Sequence, residues 1–220
     1  MTVNRVTSLA DIVYEQVERD ILSGVYQRGD SLTELRLSEQ LKVSRTPVRE
    51  ALRRLEQDDL VESRGKSIVV VGITADDLMD ILEIRSRLEG VATAKCCRRI
   101  TPEELTDIDE IITLQEFYVS RNMTDKVLES DSRFHEAVYA ACGSRTFEKQ
   151  LTALHKKLQR YRKMSVAINT RAKASAAEHR DIFQALTAGN ADLAEELAFR
   201  HVEKARENIL KNAGTGCDYL

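Results

Sequence analysis

Four side chains in the second half of the sequence are of types that bind transition metals. Asp131 and His135 are four residues apart, so on a helix they share one face, and that face is otherwise apolar. His179 and His201 likewise fall among the apolar residues of two further predicted helices. Polar side chains on buried faces are costly to bury unless they have partners. The set therefore predicts either a site for zinc, nickel, iron or manganese, or a hydrogen-bonded polar core.

A second candidate site is a basic stretch near the N-terminus. Although the net charge of the chain is −3, six basic residues oppose two acidic ones between Arg36 and Arg54. Arg45 and Arg49 lie one turn apart on the polar side of a predicted helix, and the arginine fork matches the major-groove edge of guanine. Ser44 and Thr46 at the start of that helix can contact phosphate. The alternative is a solvated basic helix without a ligand.

The elements that hold this basic stretch follow the order of a winged helix-turn-helix. Ser8 is a predicted N-cap for the first helix, and two more helices are expected over 33–41 and 45–57. Two short β-type runs follow, Leu60-Val61 and 68–71, joined by a turn at Arg64-Gly65-Lys66. The hairpin would form the wing of a DNA-binding domain.

Only helical signals follow, beginning at Thr74. Thr101-Pro102-Glu103-Glu104 is a helix start with a capping Thr and Pro at the first position. One later helix is expected over 145–166. The predicted fold class is mostly α: a winged helix-turn-helix domain over 1–73, an all-helical bundle of about six helices over 74–213, and a tail over 214–220.

Composition excludes several classes of protein. No run of about 18 apolar residues is present, so no membrane span is expected. The N-terminal residues show no apolar core of an export signal. The four cysteines form no CxxC pair, which favours a reduced, cytoplasmic setting.

The segment from Arg36 to Glu56, RLSEQLKVSRTPVREALRRLE, resembles the DNA-binding signature of the GntR family of regulators, and the resemblance covers about residues 7–71. It implies that Arg36, the helix start and the wing contact a short palindromic operator. Two residues depart from the family pattern, Lys42 and Asp59, because glycine is usual at the first and frequent at the second. The predicted DNA-contacting residues are Arg36, Ser44, Arg45, Thr46, Pro47, Arg49, Arg53, Gly65 and Lys66.

The helical half resembles the FCD effector domain of the FadR subgroup across about residues 75–212. The resemblance implies that Asp131, His135, His179 and His201 hold a divalent metal, and that a small carboxylate effector binds beside it.

Two further residues are candidates for gripping that acid. Arg85 is expected to point inward, either to hold the effector carboxylate or to pair with Glu89 four residues later. Asn208 is the weaker candidate. His155 matches no ligand position and is expected to be structural or at the surface.

Together these features predict a homodimeric, DNA-binding transcription repressor that responds to an organic acid and is not an enzyme. A palindromic operator implies a symmetric dimer. One alternative is a metal-dependent enzyme, which would consume the acid. The other is an architectural DNA-binding protein that contains no metal and ignores effectors.

Overall fold

The computed structural model describes residues 8–65, 67–158, 161–162 and 169–213. The chain divides into two compact units, with the boundary between Thr74 and Ala75. No helix in the described ranges is long and apolar enough to cross a membrane.

The N-terminal unit is a winged helix-turn-helix. Its elements are α1 (Leu9–Leu22), β1 (Ser31–Leu32), α2 (Glu34–Leu41), α3 (Arg45–Gln57), β2 (Val61–Arg64) and β3 (Ser67–Val70). The strands form a three-stranded antiparallel sheet in the order β1-β3-β2. The predicted hairpin is confirmed. Strand β1 was not predicted, because two residues are too few to show an alternating pattern.

Local signals position α1 and α3 as expected. Ser8 and Asp11 form a capping box, in which each side chain accepts a hydrogen bond from the other residue's backbone N–H. The predicted apolar face of α3 is buried. That face packs against α1 in a common core, which leaves the polar face of α3 on the surface.

The two residues that depart from the family's glycines both adopt left-handed backbone. Lys42 ends α2 with φ 56° and ψ 41°, and Asp59 follows α3 with φ 59°. Left-handed backbone brings the Cβ atom of an L-residue too close to the carbonyl oxygen that follows it. Both turns are therefore strained.

Lys42→Gly is expected to raise the free energy of unfolding by about 1 kcal/mol, because glycine removes this strain. The greater conformational entropy of glycine in the unfolded chain offsets part of that stabilisation. Chemical denaturation of the full chain measures the change. Glu39→Gly, at an exposed position inside α2, is the matched control and is expected to lower stability by about 1 kcal/mol. Destabilisation by both glycines would show that Lys42 is not strained.

The C-terminal unit is an all-helical bundle. Its described helices are α4 (Ala75–Cys97), α5 (Pro102–Ser120), α6 (Thr124–Ala141), α7 (Arg145–Lys157), α8 (Asn169–Thr187) and α9 (Ala191–Ala213). Helix α4 packs along α9, while α5 packs against α6 and α8. Gly90 allows the close approach of α4 to α9, because a Cβ atom there would lie 3.0 Å from the Glu195 carbonyl oxygen.

One helix boundary differs from the prediction. The first helix within the range expected over 145–166 is α7, which ends at Lys157, where the Leu158 N–H bonds the His155 carbonyl oxygen in a tighter turn. Of the rest of that range, 159–160 and 163–166 lie outside the described residues. The start of α5 agrees with the sequence, since Thr101 and Glu104 form a capping box before Pro102.

Candidate functional site

The polar face of α3 carries the basic residues predicted to contact DNA. Arg45, Thr46, Arg49 and Arg53 are exposed, Pro47 is half-buried, and Arg36 is exposed on α2. Ser44 is the N-cap of α3, but its side chain makes no capping hydrogen bond within the described structure. The Ser44 hydroxyl therefore remains able to bind an external acceptor, as phosphate contact requires.

Arg49 is held in position by a carboxylate that the sequence analysis did not single out. Its Nε donates to Glu34 Oε1 at 2.6 Å and its NH2 donates to Glu34 Oε2 at 2.8 Å. The Arg49 side chain is nevertheless 70% exposed. A guanidinium has five N–H donors, so three remain free to face a ligand.

The tip of the wing lies between β2 and β3, where Arg64 pairs with Ser67 in the antiparallel register. Gly65 is exposed and has φ 65°, a left-handed conformation that glycine adopts without strain. Lys66, the other residue predicted to contact DNA from the wing, lies outside the described residues.

Three of the four predicted metal ligands converge in the helical unit. His135 on α6, His179 on α8 and His201 on α9 are all buried. Each offers one ring nitrogen, and these nitrogens lie within 4.8 Å of one another. Within this group, His179 Nε2 lies 3.4 Å from His201 Nε2. These residues are called the histidine triad below.

The opposite ring nitrogen of each triad histidine is bonded to an oxygen atom. The Nδ1 atoms of His135, His179 and His201 lie 2.6, 2.8 and 2.7 Å from Glu89 Oε1, Gln115 Oε1 and Glu178 Oε2, respectively. Because these oxygens can only accept, each Nδ1 carries the proton and the lone pair is left on Nε2; at His135 this Nε2 lies 3.3 Å from the Arg85 guanidinium. Metal-binding histidines in proteins are oriented in this way.

Sequence reasoning missed Gln115, although a signal for it was present. Gln115 lies three to four residues from Ile111, Ile112 and Val119, so it interrupts an apolar helical stripe. Its side chain is fully buried against His179. A lone amide in such a stripe indicates a partner on another helix, but not which one.

Burial keeps two of the triad histidines, His135 and His179, in the form that binds metal. Desolvation lowers the pKa of His135, and it lowers the pKa of His179 well below the usual value. Both rings are therefore neutral near pH 7. Metal ligation requires the neutral imidazole, so no proton has to be removed first.

Asp131, the fourth predicted ligand, lies beside the triad with a different partner. Its Oδ1 is 3.7 Å from His179 Nε2, and its Oδ2 accepts a hydrogen bond from Arg162 NH2. Burial opposes ionisation of Asp131, but the Arg162 guanidinium holds the pKa of that carboxyl well below its usual value. Asp131 is thus ionised and has one oxygen on the side of the triad.

Arg85 points inward, and it forms the ion pair with Glu89 that the sequence offered as one alternative. Its Nε donates to Glu89 Oε2 at 2.7 Å, and both side chains are almost completely buried. Its NH2 lies 3.3 Å from each ring nitrogen of His135. Glu89 also accepts a hydrogen bond from the Tyr139 hydroxyl at 2.8 Å. Because Glu89 contacts both Arg85 and His135, it connects Arg85 to the triad.

A small cavity of about 50 Å³, called the triad cavity below, opens beside these groups. It is lined by Arg85, Asp131, His135, Arg162, Arg171, Ser175, His201 and Ala205. Arg162 and Arg171 were not predicted to line an effector site. Arg162 lies within the single helix expected over 145–166, and Arg171 lies beyond its end. Asn208 is half-buried on α9 and is not among the residues that line this cavity.

Comparisons with known proteins match both units. The model of the FCD domain matches residues 80–204, more than half of the chain, and that of the bacterial regulatory proteins of the gntR family matches residues 9–71. The HTH-type transcriptional regulator YdhC of Bacillus subtilis is 26% identical, over 94% of this chain and 88% of that protein. The HTH-type transcriptional repressor RspR of Escherichia coli is 24% identical, over 90% of this chain and 87% of its own length.

Solved structures show the same fold. The E. coli McbR/YncC structure superposes with a TM-score of 0.79 at 19% identity, covering 94% of this chain and 99% of that one. The matches agree with the winged helix-turn-helix and the helical bundle described above, and they place the chain among transcription regulators rather than enzymes. The chain belongs to the GntR family of bacterial regulatory proteins, in the FadR subgroup whose C-terminal half is an FCD domain.

Proposed function

We propose that this regulator is a cytoplasmic, homodimeric repressor whose affinity for its operator depends on a small carboxylate bound at a metal centre. The observation that carries the proposal is the histidine triad, in which each Nδ1 is bonded to an oxygen and one ring nitrogen of each histidine lies within 4.8 Å of the others. Repression, rather than activation, is supported by the relative RspR, which is named a repressor.

The donor set fits a divalent transition metal. His135, His179 and His201 would hold the ion through nitrogen, and Asp131 would add its Oδ1 while Arg162 keeps the other oxygen. Neutral imidazole with one carboxylate suits zinc, nickel, iron and manganese. When bound, the metal supplies a fixed positive charge that attracts an acid into the triad cavity.

The chain's own residues favour an anionic effector. Arg85, Arg162 and Arg171 all line the triad cavity, and arginine binds carboxylates through two parallel hydrogen bonds. In the structure each is paired with an internal acid: Arg85 with Glu89, Arg162 with Asp131 and Arg171 with Glu178. An effector carboxylate would take over one of these pairings, and this exchange would change how the helices are tied together.

The DNA-contacting role rests on the surface that α3 and the wing present. Arg36, Ser44, Arg45, Thr46, Pro47, Arg49, Arg53, Gly65 and Lys66 remain the proposed contacts. One recognition helix per half-site of a palindrome requires a symmetric dimer. Effector and operator would be linked because each favours a different conformational state of the dimer, so that binding of the acid weakens binding of DNA.

A titration of protein–operator complexes tests this function. The operator is selected from a random DNA pool with the purified protein, and the complex is titrated with two- to six-carbon mono- and dicarboxylates. We expect at least one acid to lower operator affinity when the protein is metal-loaded, with a much smaller effect after treatment with a chelator. If no acid changes DNA affinity in the loaded protein, it is not an acid sensor.

A further inference from the structure

Helix α4 presents a row of exposed residues on the side that faces away from the bundle. Its members are three or four residues apart, so they lie within about a quarter of the helix circumference. All are exposed except Lys95, which is half-buried. The row, called the α4 stripe below, consists of Asp77, Asp80, Ile84, Arg87, Val91, Lys95 and Arg98, the last directly after the end of the helix.

Two aliphatic side chains in the middle of the α4 stripe are open to water in the single chain. Ile84 is 49% exposed and Val91 is 39% exposed, and about two helical turns separate them. Exposed aliphatic residues that are aligned on one helix face, rather than scattered, are typical of a surface that contacts another protein. The middle of the stripe is therefore a candidate contact surface.

Charges flank this apolar middle, with opposite signs at the two ends. Asp77 and Asp80 lie at the N-terminal end of the stripe, whereas Lys95 and Arg98 lie at its C-terminal end. This order also suits the dipole of the helix, but the dipole gives no reason for exposed aliphatic residues between the charges. A stripe with an acidic end, an apolar middle and a basic end is complementary to a second copy of itself that runs in the opposite direction.

A two-fold axis beside Arg87 would align the other members of the stripe with suitable partners. In antiparallel register they form two oppositely charged pairs and one aliphatic pair: Asp77 with the partner's Arg98, Asp80 with the partner's Lys95, and Ile84 with the partner's Val91. Each pair occurs twice, because a two-fold interface repeats every contact. Parallel pairing would instead set each charged group against its own copy, which is unfavourable.

Arg87, at the centre of the stripe, has acidic neighbours on α9. A groove of about 580 Å³ runs between the two helices, and it is lined by Ser86, Arg87, Gly90, Val91, Asp192, Glu195, Glu196 and Phe199. Arg87 lies over the Phe199 ring, with its guanidinium carbon 5.1 Å from the ring centre. Three acidic side chains thus share this groove with one arginine. The two-fold axis would bring the partner's Arg87 to the same region and add a second positive charge there.

We propose that a second copy of this chain docks antiparallel on the α4 stripe and places its own Arg87 beside the acidic groove. This contact is the dimer interface of the helical unit. The acidic groove disfavours a nucleic acid as the occupant, and an unrelated protein would not explain why the stripe is complementary to itself. The inference rests on the proposed function, which requires a homodimer, and adds the surface that forms it.

An exchange of charges tests the register. Asp80→Lys sets a lysine against the partner's Lys95 at two places in the dimer, and it is expected to raise the dimer dissociation constant at least about 10-fold. Lys95→Asp should have a similar effect. The double variant restores both oppositely charged pairs and should regain most of the wild-type affinity. Within one chain the two residues lie about 22 Å apart along the helix, so a rescue can only arise between chains.

Ile84→Glu tests the apolar middle of the stripe. It sets a carboxylate against the partner's Val91 at two places, and it is expected to raise the dimer dissociation constant at least about 100-fold. Because Ile84 is exposed in the single chain, the variant should keep the wild-type helical content by circular dichroism. Leu114→Glu, at an exposed aliphatic position on α5, is the matched control and should remain dimeric.

Sedimentation of the full chain without DNA, at micromolar concentrations, measures these dissociation constants. We expect the wild type to be a dimer. A wild type that stays monomeric would overturn both the inference and the homodimer of the proposed function. A dimer that persists in Asp80→Lys and Ile84→Glu, or that dissociates in Leu114→Glu instead, would overturn the inference and leave the homodimer intact. Failure of the double charge exchange to restore the dimer would also overturn it.

Discussion

His179→Ala is expected to lower the affinity for a divalent transition metal by more than about 100-fold, because loss of a ligand exceeds the 10–100-fold effect of losing an outer partner. His179 is fully buried, its Nε2 lies 3.4 Å from that of His201, and its Nδ1 is bonded to Gln115 Oε1. Metal analysis and competition with a chromophoric chelator measure the change.

The melting temperature should respond in parallel. A metal that binds only the folded protein stabilises it in proportion to the logarithm of its concentration over the dissociation constant. Excess metal should therefore raise the melting temperature of the wild type and have little effect on His179→Ala. The His179 ring stacks on the Phe134 ring, with 4.0 Å between the ring centres, so the alanine variant also leaves a cavity. His179→Gln, which fills more of that space, separates loss of metal from loss of packing.

Gln115→Leu is the matched test of orientation. It keeps all three triad histidines but removes the oxygen that bonds His179 Nδ1. Metal affinity is expected to fall by about 10–100-fold, less than for His179→Ala. Metal binding at wild-type affinity in His179→Ala would exclude the triad as the metal site. The same result in Gln115→Leu alone would limit Gln115 to packing.

The sequence predicted the local features of this fold better than the contacts between helices. Caps such as Ser8 and Thr101 act on residues three positions away, so their signal is contained in the sequence. The triad was predicted because each histidine interrupts an apolar stripe. The oxygen that orients each ring was not, because Gln115 and His179 are 64 residues apart and meet only when α5 packs on α8.

The arginines of the triad cavity show the same limit. Arg85 was identified because it falls on an apolar helix face, and its pairing with Glu89 was foreseen as one alternative because Glu89 lies one helical turn away on the same face. Arg162 bonds Asp131, 31 residues earlier, and no periodicity relates these two positions. Side chains that meet across helices are thus predicted from sequence only when both interrupt an apolar face.

Arg49→Ala is expected to weaken operator binding by about 1–3 kcal/mol per site, with relaxed base preference at one position of each half-site. Glu34 accepts hydrogen bonds from Nε and Nη2 on one edge of the guanidinium. The two hydrogens on Nη1 and the second hydrogen on Nη2 remain available to a ligand. That free edge matches the O6 and N7 acceptors of guanine. Gel-shift titrations with the selected operator and single-base variants measure both effects.

Glu34→Gln tests whether the carboxylate positions Arg49 for this contact. Glutamine keeps the size of the side chain but can accept only one of the two hydrogen bonds from Arg49. Arg49 therefore loses its fixed orientation, while its positive charge is unchanged. We expect a smaller loss of operator affinity than for Arg49→Ala, concentrated at the same base position. Removal of an ordinary phosphate contact would instead weaken all sequences equally and reduce the salt dependence.

Stability provides the control for both variants. The Arg49 side chain is 70% exposed, and its ion pair with Glu34 lies at the surface, where such pairs contribute little. Both variants should therefore unfold at nearly the wild-type midpoint, and a loss of DNA binding would reflect the contact rather than the fold. Unchanged operator affinity in Arg49→Ala would exclude this residue from base reading and move recognition to Arg45 or the wing.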